Sequence, residues 1–346
     1  MTPQPRLCSL GIAVPPYILD QLEVRNRAAA LFGERHDVDR LLGIFGNAGI
    51  RRRYSCVPIE WYSHAHGWAD RSAIYVESAV NLLETVALDC LRDANLAPEA
   101  IDTIVVASTT GIATPSLDAL LVERLKLRRD IKRLPIFGLG CAGGVTGLAR
   151  AGDLAKANPG SKVLFLVVEL CALTFRRNDL DKSNLVATAL FGDGAAGAIL
   201  STDCGGPRLT AAGEYTWPDS LEVMGWDVEE DGLKARFARS IPTLVSEGMT
   251  NIATSFLARH DMRIGDIDRF ACHPGGAKVL DALESAFGLD PGALVESREV
   301  LRDYGNMSAA TVLFVLARMN WRAASGRTLL SALGPGFSAT FLMLEG

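Results

Sequence analysis

An α/β protein built as two similar halves is what this chain of 346 residues predicts. Two observations carry that prediction. Short apolar, β-branched runs alternate with segments whose apolar residues recur every three or four positions, the pattern of buried strands between helices. The order of elements in the first part of the chain then returns in the second. LRDANLAPEAIDTIVVAST begins at Leu91 and LARHDMRIGDIDRFACHPG at Leu257. Each reads as a helix end, a turn, the dipeptide Ile-Asp and an apolar strand. The dipeptides begin at Ile101 and Ile267, 166 residues apart, which marks an internal duplication.

Taken in order, residues 72–97 read as a long helix, with helical spacing clearest in SAVNLLETVALDCL. IDTIVVAST reads as a buried strand that ends in small polar residues. PSLDALLVERLKL is a helix with Pro115 near its start and Ser116 as its cap. RLPIFGLG is a further strand, GGVTGLARAGDLAKAN a helix closed by NPG, and KVLFLVVEL a third buried strand. The turn cluster STDCGGPR, residues 201–208, divides the chain into units over 1–205 and 206–346.

Composition narrows the function. The chain is 49% hydrophobic, enough for a substantial core, and 22% charged. A net charge of −5 argues against a general nucleic-acid binder. MTPQPRLCSLGIAVPPYIL lacks the apolar stretch of a secretory signal. The most apolar run, KVLFLVVELCALTF, is too short to span a membrane and is interrupted by Glu169. The seven cysteines include no C-x-x-C pair, so neither a disulfide framework nor a zinc site is expected, and a cytoplasmic location is the natural reading. His64 and His66, in WYSHAHGW, could chelate a metal from a strand, but no cysteine or acidic ligand pattern accompanies them. No metal is expected.

GLGCAGGVTGLARAGDLA puts Cys141 among glycines where a helix begins. Glycines permit sharp turns and close approach of a ligand. A helix N-terminus offers unpaired N–H groups and partial positive charge, which favour a thiolate. Cys141 is therefore a candidate nucleophile, although a cysteine here is equally a small buried residue in a turn. Moving on from Cys141 by 165 residues reaches Asn306, in YGNMSAATVLFVLARM, so the two read as equivalent positions at two helix N-termini. Asn306 can donate to an oxygen anion or simply cap its helix. His273 follows the strand DRFAC and precedes PGG. It can assist a thiol and donate to a developing oxyanion, or be a satisfied structural histidine. Its duplicate position is Ala107, so symmetry does not account for it.

With these residues in view, the sequence resembles the type III polyketide synthases, the chalcone-synthase-like branch of the thiolase superfamily. The resemblance covers nearly the whole chain. It is carried by GCAGG around Cys141, LFGDGAA at 190–196, HPGG at 273–276, YGNMSAA at 304–310 and GPGFSAT at 334–340. It implies a five-layered αβαβα thiolase fold with two pseudo-symmetric halves, and a homodimer. Cys141 would take an acyl group from a starter acyl-CoA as a thioester. His273 and Asn306 would hold malonyl-CoA and stabilise the enolate left by decarboxylation. The enolate carbon would attack the acyl-Cys141, and repetition followed by cyclisation would complete the product. No cofactor is implied, because the CoA thioesters are themselves the substrates.

Other positions carry over by the same resemblance. Phe191 matches a phenylalanine that gates the passage between the CoA tunnel and the cavity. Thr174 matches a cavity-lining threonine, and Cys171 stands where many plant members have another. Thr109, Thr110 and Ser308 match further lining positions, and Thr114 the residue that reaches into the partner's cavity. The run Arg51, Arg52 and Arg53 in IRRRYS matches a cationic cluster that meets CoA phosphates, which Arg can bind bidentately. The chain also departs from the plant pattern. LKARF puts Ala235 where plant members have a second gating phenylalanine, and Trp226 stands where they have a glycine. WPDSLEVMGWDVEEDGLKA and PIEWYSHAHGW resemble the bacterial branch that makes alkylpyrones and alkylresorcinols, which implies fatty acyl-CoA starters. A ketoacyl carrier-protein synthase with one condensation is the nearest rival, and a cysteine hydrolase or a non-catalytic acyl-CoA-binding protein are rivals of other classes.

Overall fold

The computed structural model describes residues 3–32, 38–179, 181–323 and 325–346. The first half runs β1 (Arg6–Ala13), β2 (Tyr17–Asp20), α1 (Gln21–Phe32), α2 (Val38–Asn47), β3 (Arg52–Ser55), α3 (Trp68–Ala94) and β4 (Thr103–Ala107). It continues through α4 (Leu117–Arg124), β5 (Lys132–Ile136), α5 (Gly143–Ala157), β6 (Val163–Leu170), α6 (Lys182–Leu190) and β7 (Asp193–Ser201). The second half begins with β8 (Arg208–Thr216), β9 (Met224–Glu229), β10 (Gly232–Phe237), α7 (Ile241–Ala258) and β11 (Arg269–Cys272). It ends with α8 (Ala277–Phe287), α9 (Val295–Tyr304), α10 (Thr311–Arg318), β12 (Arg327–Gly334) and β13 (Ser338–Glu345).

Nine strands form one sheet in the order β11-β12-β13-β8-β1-β7-β6-β4-β5. The order β4-β6-β7-β1 is repeated outward on the other side as β11-β12-β13-β8. In each set the first pair is parallel and the others antiparallel. The two half-sheets meet where Arg6 pairs with Arg208.

Strand side chains point alternately to opposite faces, and here both faces are buried. On β6, Val163, Phe165 and Val167 pack with Val145 and Leu148 of α5 and Val312 and Leu316 of α10. Leu164, Leu166 and Val168 pack on the other side with Leu83 and Val86 of α3 and Leu121 of α4. In the second half-sheet Leu330 and Leu342 join the α5–α10 cluster. Leu329 and Met343 face Val245 and Phe256 of α7 and Leu280 of α8. Helices, half-sheet, α5 with α10, half-sheet and helices make five layers. The long apolar run in KVLFLVVEL follows from this, since a strand covered on both sides has no solvent face.

Three expectations change. The two helix N-termini, Gly143 and Thr311, are 168 residues apart rather than 165, so Asn306 lies further upstream of its helix than Cys141 does. A β-bridge between Phe191 and Asn306 holds that extra backbone extended. Secondly, Cys8 and Cys204 form a disulfide. They are 196 residues apart in sequence, but β1 lies antiparallel to β7, with Leu7 opposite Leu200. That corrects the expectation of free thiols and removes the compositional argument for a reducing compartment. Thirdly, β5 is no buried strand: it edges the sheet, with Leu134 and the following Phe137 exposed. Among the described residues, no helix is long and apolar enough to cross a membrane.

Candidate active site

Cys141 lies in a 3-10 turn, Gly140–Ala142, directly before α5. The glycines around it answer two steric demands. Gly140 has φ +46°, and the chain of α10's approach passes so close that a Cβ on Gly144 would lie 2.1 Å from the Ala309 carbonyl oxygen. The backbone N–H of Gly140 donates to Thr109 Oγ1 at 3.0 Å, which fixes the turn. The thiol is 9% exposed. Burial pushes it up to about 12, so the helix terminus does not yield a thiolate in the resting site.

Asn306 stands against it, with Oδ1 4.0 Å from Cys141 Sγ. The same oxygen accepts from the Ser308 N–H at 2.8 Å, and Nδ2 donates to the Gly275 carbonyl at 3.2 Å. The Gly275 N–H in turn donates to the His273 carbonyl at 3.0 Å, so the amide and the histidine loop form one unit. His273 is buried, its own N–H donating to the Ser331 carbonyl at 2.8 Å. Neither ring nitrogen has a hydrogen-bond partner among the described residues. Burial pushes the imidazole down to about 3, so it is neutral at physiological pH. A thiol, a neutral imidazole and an amide with a spare N–H suit acyl transfer and stabilisation of an oxyanion.

In the sequence Glu169 is only an interruption in an apolar run. It is fully buried at the end of β6. Its Oε2 accepts from the Thr109 N–H (3.1 Å), the Thr110 N–H (3.0 Å) and Thr110 Oγ1 (2.8 Å), and Oε1 from Ser308 Oγ at 3.4 Å. Burial nevertheless raises it to about 7. The interruption was itself the signal, because a carboxylate inside a two-sided buried strand needs a built polar setting. Asp193, in the LFGDGAA motif, is a second case: it accepts from the Ala172 and Cys56 N–H groups at 2.8 and 2.9 Å.

Phe191, Cys171 and Thr174 come together in the wall of an apolar cavity, with Leu19, Val24, Ala28 and Ala187 among the others. The Thr174 hydroxyl donates to the Cys171 carbonyl at 2.7 Å. Ala235 packs with Phe191 and Cys171, and Trp226 faces Ala235 across the β9–β10 ladder. The Phe191 ring lies 5.6 Å from that of Trp226 and 5.7 Å from that of Phe237. An aromatic partner for Phe191 is thus present two residues beyond Ala235, on the same face of the strand. Thr114 is exposed beside Pro115, away from these groups.

The arginine run separates. Arg51 is exposed and paired with Asp303 at 3.1 Å, and Arg52 is half-buried. Arg53 is 1% exposed, and its Nη1 donates to the carbonyls of Thr188 and Phe191. Its assignment to a CoA phosphate is corrected. Alternation along β3 turns Arg53 inward, so three consecutive arginines could not share one solvated face. His66 stacks on Trp61 at 3.8 Å, and among the described residues no three His, Cys, Asp or Glu side chains gather at metal-binding spacing.

Residues 58–204 match the profile of chalcone and stilbene synthases, N-terminal domain, and residues 208–345 the C-terminal domain. A Bacillus subtilis (strain 168) relative named after chalcone synthase is 38% identical over 98% of both chains. A 1,3,6,8-tetrahydroxynaphthalene synthase of Streptomyces peucetius subsp. caesius is 37% identical, covering 98% of this chain and 92% of its own. The crystal structure of 1,3,6,8-tetrahydroxynaphthalene synthase from Streptomyces coelicolor A3(2), a bacterial type III polyketide synthase, superposes with a TM-score of 0.94 at 29% identity over 98% of each chain.

Proposed function

The chain belongs to the chalcone and stilbene synthase family of type III polyketide synthases, which are acyltransferases, and from that premise we propose that it extends a fatty acyl starter held on Cys141 and closes the product to an alkylpyrone or alkylresorcinol. As Cys141 Sγ attacks the starter thioester its proton moves by way of His273 to the departing sulfur, so CoA leaves as the free thiol and His273 is neutral again. Malonyl-CoA then loses CO₂, and its thioester oxygen takes up the charge as an enolate held by His273 and the Asn306 amide. The enolate carbon attacks the acyl-Cys141 carbonyl, which releases the thiolate and lengthens the chain by two carbons. Placed donors supply the stabilisation, so no cofactor or metal is needed.

The apolar cavity beside Phe191 carries the fatty starter. Its lining of Leu, Val and Ala suits an alkyl tail. We place the work in the cytoplasm, where CoA thioesters are made. A homodimer is supported by the exposed Leu134 and Phe137 at the edge strand β5. The names of two relatives favour a second reading, a hydroxylated naphthalene built from malonyl units alone.

Mass spectrometry of products from malonyl-CoA, with and without acyl-CoA starters of graded length, separates the two. Alkylpyrones or alkylresorcinols from long starters are expected. A naphthalene product from malonyl-CoA alone, with long starters ignored, would reverse the assignment.

A further inference from the structure

Arg53 takes no part in the steps above, yet among the described residues it is the largest fully buried side chain, and it adjoins the wall of the apolar cavity. Its Nη1 donates to the Thr188 carbonyl at 2.5 Å and the Phe191 carbonyl at 3.0 Å, at the C-terminal end of α6, where helix carbonyls lack partners and a cation is favoured. The next bonds in the chain reach Asn306. Its N–H donates to the Leu190 carbonyl at 2.8 Å, and its carbonyl accepts from the Gly192 N–H at 3.0 Å. The Arg53 stem fills the space beside that bridge. A Cβ on Gly305 would lie 2.6 Å from Arg53 Cγ, and one on Gly192 would lie 3.2 Å from Arg53 Cβ. Tyr54 of β3 and Arg51 just before it hold the adjoining end of α9. The Arg51 N–H donates to the Arg302 carbonyl at 2.8 Å, and Tyr54 stacks on Tyr304 at 5.6 Å.

We propose that Arg53 is a positioning residue, which clamps the α6 terminus against residues 304–306 and so holds the Asn306 amide where malonyl-CoA loses CO₂. The inference rests on the decarboxylating role given to Asn306 above. Burial lowers the guanidinium only to about 10, so the clamp stays charged at neutral pH. Losing it leaves two carbonyls unpaired and frees the bridge to shift, and a misplacement of about 1 Å can cost on the order of 100-fold in rate.

The test compares two half-reactions of the purified enzyme. One is decarboxylation of malonyl-CoA without starter. The other is acylation of Cys141 by acetyl-CoA, whose acyl group is too short to fill the cavity that Arg53 adjoins, read by intact mass. The variants are Arg53→Lys, which keeps the charge but is one atom shorter, so its nitrogen falls short of the two carbonyls that Nη1 reaches, and Gly192→Ala, which keeps the guanidinium and pushes on the Tyr304 carbonyl. Expected for each is a kcat for decarboxylation lowered about tenfold or more with KM within about twofold, and Cys141 acylation within about threefold of wild type. The glycine variant decides if the lysine variant does not fold. Unchanged decarboxylation, a parallel loss of both half-reactions, or a raised KM with unchanged kcat would each overturn the proposal. Wild-type enzyme that acylates Cys141 but does not decarboxylate malonyl-CoA would instead overturn the role given to Asn306.

Discussion

Cys141 and Glu169 are both buried, and burial pushes each toward its neutral form. For Cys141 this means that the thiolate arises only as the substrate engages. Cys141→Ala is expected to abolish product while leaving measurable CO₂ release from malonyl-CoA, because His273 and Asn306 remain. Full product formation by that variant would remove Cys141 from the mechanism. For Glu169 the consequence is one of stability. Its folded value, about 7, lies above the roughly 4.3 of an unfolded glutamate. The folded state therefore holds the proton more tightly, and the stabilisation is full below about 4.3 and lost as pH rises through about 7. Asp193, raised by burial to about 6, acts in the same direction. Glu169→Gln mimics the protonated form. Its Tm should fall less than that of wild type between pH 5.5 and pH 8, by a difference of a few degrees. Equal slopes in scanning fluorimetry would show that Glu169 carries no such proton.

The acyl cavity is a property of elements rather than single residues. Helices α1 and α6, β2 and the turn that holds Cys171 each give it one wall. Ala187 of α6 faces inward there, in a cluster with Phe191 and Ala235. Ala187→Phe should shorten the longest starter that yields product by several carbons, with acetyl-CoA still accepted. An unchanged chain-length profile by mass spectrometry would place the tail elsewhere. Sequence reasoning reached Phe191, Cys171 and Thr174 but left Phe237 unnoticed. Matching strands position by position hides the fact that residues two apart share a face, so a bulky neighbour can move along the strand and still touch the same ring. Arg53 was misjudged for the same reason. A basic run suggests solvent, whereas the pleat of β3 sends its last member, Arg53, into the protein.

At the scale of the whole molecule the architecture was legible, because strands covered on both faces cannot avoid long apolar runs and a duplicated unit repeats them. The edge of the sheet was less so: RLPIFGLG is apolar enough to read as core, yet Leu134 and Phe137 face outward. An exposed apolar strand edge invites a partner. For the proposed homodimer, Phe137→Asp is expected to shift sedimentation toward monomer, and a dimer unaltered by it would mean that the copies meet through another surface. The Cys8–Cys204 link was beyond sequence reasoning, since only the pairing of β1 with β7 brings residues so distant together. It closes most of the first half into a covalent ring. In the oxidised protein, a protease that nicks any loop between those two cysteines opens the ring without releasing a fragment. Such a chain keeps its full mass on a non-reducing gel and separates into two pieces once a thiol is added.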